Sequence, residues 1–160
     1  RAGEPHRNVG SVHAPDAEMA LLNARDVFAR RPSCLSLWVV PAAAVVAWNV
    51  VEPPPPETPG AAQAYAVCAK RGHKQAMTYV DYLGAIQATS PAEALRLAPA
   101  AFAAPDALVW WVFAEAAISR SAPEDAAGFA AATGKVFRLP NQYHTVFTMQ
   151  KIRRGDEGDE

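Results

Sequence analysis

"VGSVHAPDAEMALLNARDVFARRPSCLSLWVVPAAAV" spans Val9 to Val45, and the chain writes it again, more loosely, as "YLGAIQATSPAEALRLAPAAFAAPDALVWWVFAEAAI" from Tyr82 to Ile118. At an offset of 74, Gly10 falls on Gly84, Ala20 on Ala94, Leu21 on Leu95, Ala24 on Ala98 and Phe28 on Phe102. One residue dropped in the following loop sets the offset to 73 and brings Trp38 onto Trp111, Val39 onto Val112 and Ala43 onto Ala116. Alanine matches are cheap in this composition. Gly, Leu, Phe and Trp in one order are not, and they identify an internal repeat.

Each copy reads as strand, helix, strand. "NVGSVHA" is short and rich in β-branched residues, and Asp16 then stands at an N-cap position, where its carboxylate can accept from the open amides of a first helical turn. The second copy places Ser90, Pro91 and Glu93 there, which is capping-box spacing with proline at the first helical position. Ala17, Leu21, Ala24 and Phe28 recur at spacings of three and four, giving one apolar face and leaving Glu18, Asn23 and Arg25 toward water. Pro99 removes a donor and crowds the preceding turn, so the second helix is expected to kink or stop early. "LSLWVV" and "LVWWVF" are apolar at almost every position, as in strands covered on both faces; Trp38 and Trp111 are read as core, with Trp110 on the opposite face.

The second copy has an additional leading strand, "AYAVCAK", joined through "RGHKQ" to "TYVDYLGAIQA" as a hairpin. The first copy matches only the turn of that hairpin in "RAGEPHRN", and its leading strand is expected to lie upstream of Arg1. The expected organisation is α+β, two strand-strand-helix-strand repeats with mostly antiparallel sheets, packed as a pseudo-dimer. Residues 1–50 form the first repeat, 51–63 a proline-rich linker, 64–154 the second repeat with a closing segment, and 155–160 a disordered tail. The four prolines Pro53 to Pro56 favour an extended polyproline II spacer that reaches on the order of 35 to 45 Å. In the closing segment, Ser121 and Glu124 have capping-box spacing for a short helix ending near Gly134, and "KVFRLPNQYH" reads as an extended surface-lying stretch.

Composition narrows the function classes. The 160 residues carry 15 Lys plus Arg against 16 Asp plus Glu, so no broad positive field is present to attract nucleic acid or anionic lipid. The longest apolar runs fall short of the roughly 20 residues that cross a bilayer. Cys34 and Cys68 lack metal-ligand spacing and read as reduced thiols of a cytoplasmic protein. No E-x-x-H pair, phosphate-binding loop, dinucleotide fingerprint or nucleophile elbow occurs. His13 precedes the first helix and is replaced by Gln87 in the second copy, which argues against a proton-transfer role. His73 lies in the basic turn "KRGHK", read as solvated charge, with His6 and His144 in separate segments. No catalytic, cofactor-binding or metal-binding residue is assigned, and no cofactor is expected.

The stretches "VGSVHAPDAEMALLNARDVFARR", "LWVVPAAAV" and "SAPED...KVFR" resemble the B subunit of phenylacetate-CoA oxygenase, the PaaB family. The first copy carries the resemblance most closely, from Val9 to Arg31, and the closing part from Ser121 to Tyr143 continues it. The resemblance implies a non-catalytic subunit of a multicomponent enzyme that epoxidises the ring of phenylacetyl-CoA. Its partners would be a di-iron catalytic subunit and a related helical subunit, whose catalytic pairs it would bridge, with the electron-supplying reductase a further candidate. A doubled unit departs from that family's single one and implies tandem halves in place of a symmetric pair. The rival readings are a stand-alone α+β domain with a pocket near His13 or Tyr82, and an acyl-CoA sensor whose Lys70, Arg71 and Lys74 contact phosphates.

Overall fold

The computed structural model describes residues 3–29, 34–72, 79–129 and 149. Its helices are α1 (Ala17–Phe28) and α2 (Pro91–Ala101), and its strands are β1 (Trp38–Val39), β2 (Val46–Asn49), β3 (Gln63–Lys70), β4 (Asp81–Ala88), β5 (Val109–Ala114) and β6 (Ser119–Arg120). Short 3-10 turns occupy Ala42–Ala44, Glu115–Ala117 and Pro123–Phe129. The fold is α+β, and among the described residues every strand pair is antiparallel: one sheet has the order β2-β5-β3-β4, the other pairs β1 with β6.

The caps read from the sequence form as written. Asp16 accepts from the Met19 amide at 2.8 Å, and Ser90 accepts from the Glu93 amide at 3.0 Å. Glu93 in turn reaches back one residue further than a simple capping box requires, taking the Thr89 amide at 2.6 Å and its hydroxyl at 2.5 Å. Those two donors hold the Glu93 carboxyl below its ordinary range.

Pro99 does not end α2. The helix runs two residues past it to Ala101 and closes with the Phe102 amide on the Ala98 carbonyl at 3.0 Å. Proline sits in the last turn, so it removes a single ladder bond next to an end where bonding is already thinning, and the cost stays small.

Alternation along β3 and β5 separates two cores. Tyr65, Val67 and Ala69 of β3 and Trp110 and Val112 of β5 face α2, where Ala94, Leu95 and Ala98 meet them. Ala66, Cys68 and Phe113 face the other way, with Val80 and Ile118, toward Trp38, Val40, Val45, Tyr82 and Trp111. Trp110 is therefore fully buried at 1% exposure, whereas Trp38 and Trp111, read as core, pack half-buried against the second cluster. The opposite-face assignment of Trp110 and Trp111 holds. Burying an indole such as Trp110 is worth on the order of 4 to 6 kcal/mol before entropy.

The first copy departs from expectation at its front. Asn8 to Ala14 form no strand; Arg7 alone makes a bridge, to Asp81. In the second copy β4 gains its ladder from β3, and among the described residues nothing plays that part for residues 8–14. The Pro123–Phe129 turn is 3-10 and begins on Asp125, which accepts from the Ala122 amide at 2.9 Å, in place of the Ser121–Glu124 pair. Ser121 is already engaged, accepting from the Leu37 amide at 3.0 Å. The helix end near Gly134, "KVFRLPNQYH" and the tail at 155–160 lie outside the described residues.

Between β2 and β3 the prolines carry the chain past the start of α2. Trp48 donates its indole N–H to the Glu52 carbonyl at 2.9 Å, Glu57 accepts from Arg96 at 3.1 Å, and the Gly60 amide reaches the Thr89 carbonyl at 2.9 Å. These contacts fix where the proline stretch leaves β2 and where it enters β3.

Candidate interaction seam

Residues related by the sequence offsets of 74 and 73 have matching local geometry. Gly10 and Gly84 lie at φ +142° and +155°, where a side chain is strained, and each faces the aromatic ring that closes its own helix. A Cβ on Gly10 would stand 2.6 Å from Phe28, and one on Gly84 would stand 2.7 Å from Phe102. At Gly84 the ladder with β3 also slips by one residue, a bulge that suits glycine. Pro41 and Ala114, which enter the two 3-10 turns, have ψ of 131° and 135°; Val45 and Ile118, which leave them, share φ −85° and ψ 119°.

Strand pairing crosses between the two similar stretches. β2, the tail of the first, pairs with β5 through Val46–Val112 and Ala47–Trp111, while β6, the tail of the second, pairs with β1 through Val39–Ser119 and Trp38–Arg120. Applying the offset of 73 turns either register into the other. The bridge of Arg7 with Asp81 joins residues related by the offset of 74, and its two flanking bonds, Asn8 amide to Val80 carbonyl at 2.9 Å and Tyr82 amide to His6 carbonyl at 2.8 Å, are likewise interchanged. Arg7 Nε also stands 3.2 Å from Asp81 Oδ1, close enough for an ion pair although Oδ1 lacks a well-directed hydrogen bond. With both side chains about half exposed, backbone pairing contributes more here than charge.

An aromatic group fills the seam. His6 stacks on Trp38 with centroids 3.8 Å apart, Tyr82 meets the Trp38 ring edge-on at 5.2 Å, and the Arg120 guanidinium lies 4.9 Å from the Trp38 centroid. On the other side Tyr79 packs on Trp111 at 5.2 Å, with the Lys70 ammonium 4.5 Å above Tyr79. Burial, helped by the nearby Arg120 charge, pushes the His6 imidazole below its ordinary value, so the neutral ring is favoured. Burial likewise raises Tyr82 and pushes the Cys68 thiol up to about 12, Asp81 adding to the latter.

The residues weighed in the sequence are dispersed. His13 is exposed, and its carbonyl accepts from the Asn23 amide side chain at 2.9 Å. Cys68 is buried under the seam; Cys34 is half-buried, its thiol donating to the Ser36 carbonyl at 3.4 Å and raised by burial. Arg71 is exposed, whereas His73, Lys74 and His144 lie outside the described residues. Among the described residues no group of three or more His, Cys, Asp or Glu side chains is placed to hold a metal ion, and no helix is long and apolar enough to cross a membrane. His6, Tyr82 and Arg120 were not read together from the sequence. Three separate segments bring them to Trp38, and only the crossed pairing does so.

Residues 1–68 match the family described as phenylacetic acid degradation B, so the resemblance read from the sequence holds over that stretch. The chain is 53% identical over 47 residues to the B subunit of the 1,2-phenylacetyl-CoA epoxidase of Escherichia coli (strain K12), a match covering 29% of this chain and 50% of that protein. The chain thus spans about half the length of the curated relative it matches. The family match ends at residue 68, leaving most of the second copy and the closing stretch outside it. No solved structure matches the chain.

Proposed function

We propose that this chain is a non-catalytic bridging subunit of a multicomponent phenylacetyl-CoA epoxidase of phenylacetate degradation, built as a tandem pseudo-dimer. The similarity of residues 1–68 to the family supports the pathway, and the 53% identity to an epoxidase B subunit supports membership of the complex. The interchangeable registers of β2–β5 and β1–β6 are the single observation that carries the pseudo-dimer. Two units related in this way present two related outer surfaces, one on each side of the seam, as a bridge needs. Its partners are a di-iron catalytic subunit, a related helical subunit and the reductase, met in the cytoplasm. The side chains with chemical potential serve packing: the Cys68 thiol is kept protonated, and His6 and Tyr82 are stacked on Trp38.

Affinity recovery of the full chain from its host tests this reading. Helical oxygenase subunits are expected to accompany it, and the purified chain alone is expected to turn over no phenylacetyl-CoA. Recovery without those subunits, or turnover by the chain alone, overturns the proposal.

A further inference from the structure

The proline stretch between β2 and β3 is pinned at both ends and bare along one edge. At its start the Glu52 carbonyl accepts from the Trp48 indole at 2.9 Å, and the Glu52 amide donates to the Asn49 carbonyl at 2.9 Å. At its end the Gly60 amide holds the Thr89 carbonyl at 2.9 Å. Between these anchors each proline ring fixes φ at about −65°, and a following proline keeps Glu52, Pro53, Pro54, Pro55 and Thr58 extended. The result is left-handed polyproline II geometry with three residues to a turn, so residues three apart share an edge. The three edges are unlike. Pro55, on the first, is half-buried. On the second, Glu57 turns its carboxylate to Arg96, 3.1 Å from Nε. The third consists of Pro53, Pro56 and Pro59, all exposed, and Pro59 returns in phase after two residues that are not proline. Stiffness alone calls for proline in no particular phase.

We infer that Pro53, Pro56 and Pro59 form a docking ridge for a partner protein whose groove is lined by Trp and Tyr rings and rimmed by Lys or Arg. That this partner is an oxygenase subunit rests on the proposed function; the ridge itself does not. Three features define the groove. Proline rings present flat apolar faces, which aromatic rings cover. Among the described residues no donor reaches the carbonyls of residues 53–59, so they are open to an indole N–H or a phenol O–H, which aromatic side chains carry at their polar ends. Charge sets the rim: residues 49–62 hold no Lys or Arg, Glu52 is exposed with no ion pair among the described residues, and Glu57 is still about half exposed beside Arg96. The anchors at Glu52, Glu57 and Gly60 add preorganisation. Folding has already ordered the segment, so docking loses little further conformational entropy.

The test compares three full-length chains: the unaltered one, an outer variant with Pro53→Ala and Pro56→Ala, and an inner variant with Pro54→Ala and Pro55→Ala. Both variants remove two prolines from the same run, so they lose stiffness alike, and Tm checks that both remain folded. The probe is a WW-type domain with a groove of Trp and Tyr and a basic rim, titrated calorimetrically. The unaltered chain is expected to bind, the outer variant about tenfold or more weaker, and the inner variant within about threefold of the unaltered chain. No binding by the unaltered chain, or equal weakening in both variants, overturns the inference. In recovery from the host, the inner variant is expected to retain helical oxygenase subunits that the outer variant loses. Equal retention by both also overturns the inference. If none of the three chains brings down such subunits, the proposed function has failed, and the titration alone decides the ridge.

Discussion

Gly84→Ala puts a methyl group where the backbone and the core both resist it. The residue sits at φ +155°, and the new Cβ would meet Phe102 Cε1 at 2.7 Å and Cζ at 3.1 Å. Holding an L side chain in that region costs on the order of 1–3 kcal/mol. Forcing the Phe102 ring aside adds overpacking of about 1–3 kcal/mol, toward the low end because Phe102 is half-buried and its ring edge can move. The expected loss is about 3 kcal/mol, a large share of the stability of an ordinary domain. Urea denaturation followed by tryptophan fluorescence measures it as a lower midpoint at unchanged slope. Phe102→Leu in the same chain separates the two components: with the ring edge gone, about 1 kcal/mol should return as a coupling term, leaving the backbone strain. Gly10→Ala, 2.6 Å from Phe28 Cζ, should repeat the pattern with a smaller loss, because α1 is less covered than α2. A Gly84→Ala loss under about 0.5 kcal/mol, or no coupling to Phe102, would refute the reasoning.

Three further outcomes follow from the seam and the caps. Because folding lowers the His6 value below its ordinary 6.5, the unfolded chain takes up the proton more readily, so stability is full above that pH and falls as pH drops through it. His6→Phe should keep the stack on Trp38 and flatten this part of the pH profile; an unchanged profile would contradict it. The Cys68 thiol, pushed up to about 12, should react with a disulfide reagent at pH 8 only as fast as the chain opens, and a rate near that of an exposed thiol in Cys34→Ser protein would count against its placement. Ser90→Ala should cost about 1–2 kcal/mol, more than Asp16→Ala, since Ser90 is 2% exposed and its loss strands a sheltered amide; equal losses would remove that distinction.

The parts legible in the sequence are those governed by neighbours along the chain. Asp16 and Ser90 announced the two helix starts because a cap needs only its own first turn, and the hairpin of β3 and β4 was written in adjacent runs around a turn. Pairing between distant segments left no local mark. β2 and β6 follow short alanine-rich turns and read as the ends of longer apolar stretches, so nothing near them says that each belongs beside the other copy. The same blindness left the depth of each indole unread. Trp110 and Trp111 are alternating residues on one strand, and which is deeper depends on α2 packing against one face while the seam, open at its rim, takes the other. Asn8 to Ala14 show the converse error: a fair strand composition does not make a strand without a neighbour to pair with.

On the proposed reading a tandem pseudo-dimer takes the place of a symmetric pair, so the chain is present singly where it bridges. Native mass measurement of the complex recovered with this chain decides the point. The account predicts one copy of this polypeptide alongside the helical subunits. Two equivalent copies of the polypeptide in one complex, held to each other through like faces, would contradict it.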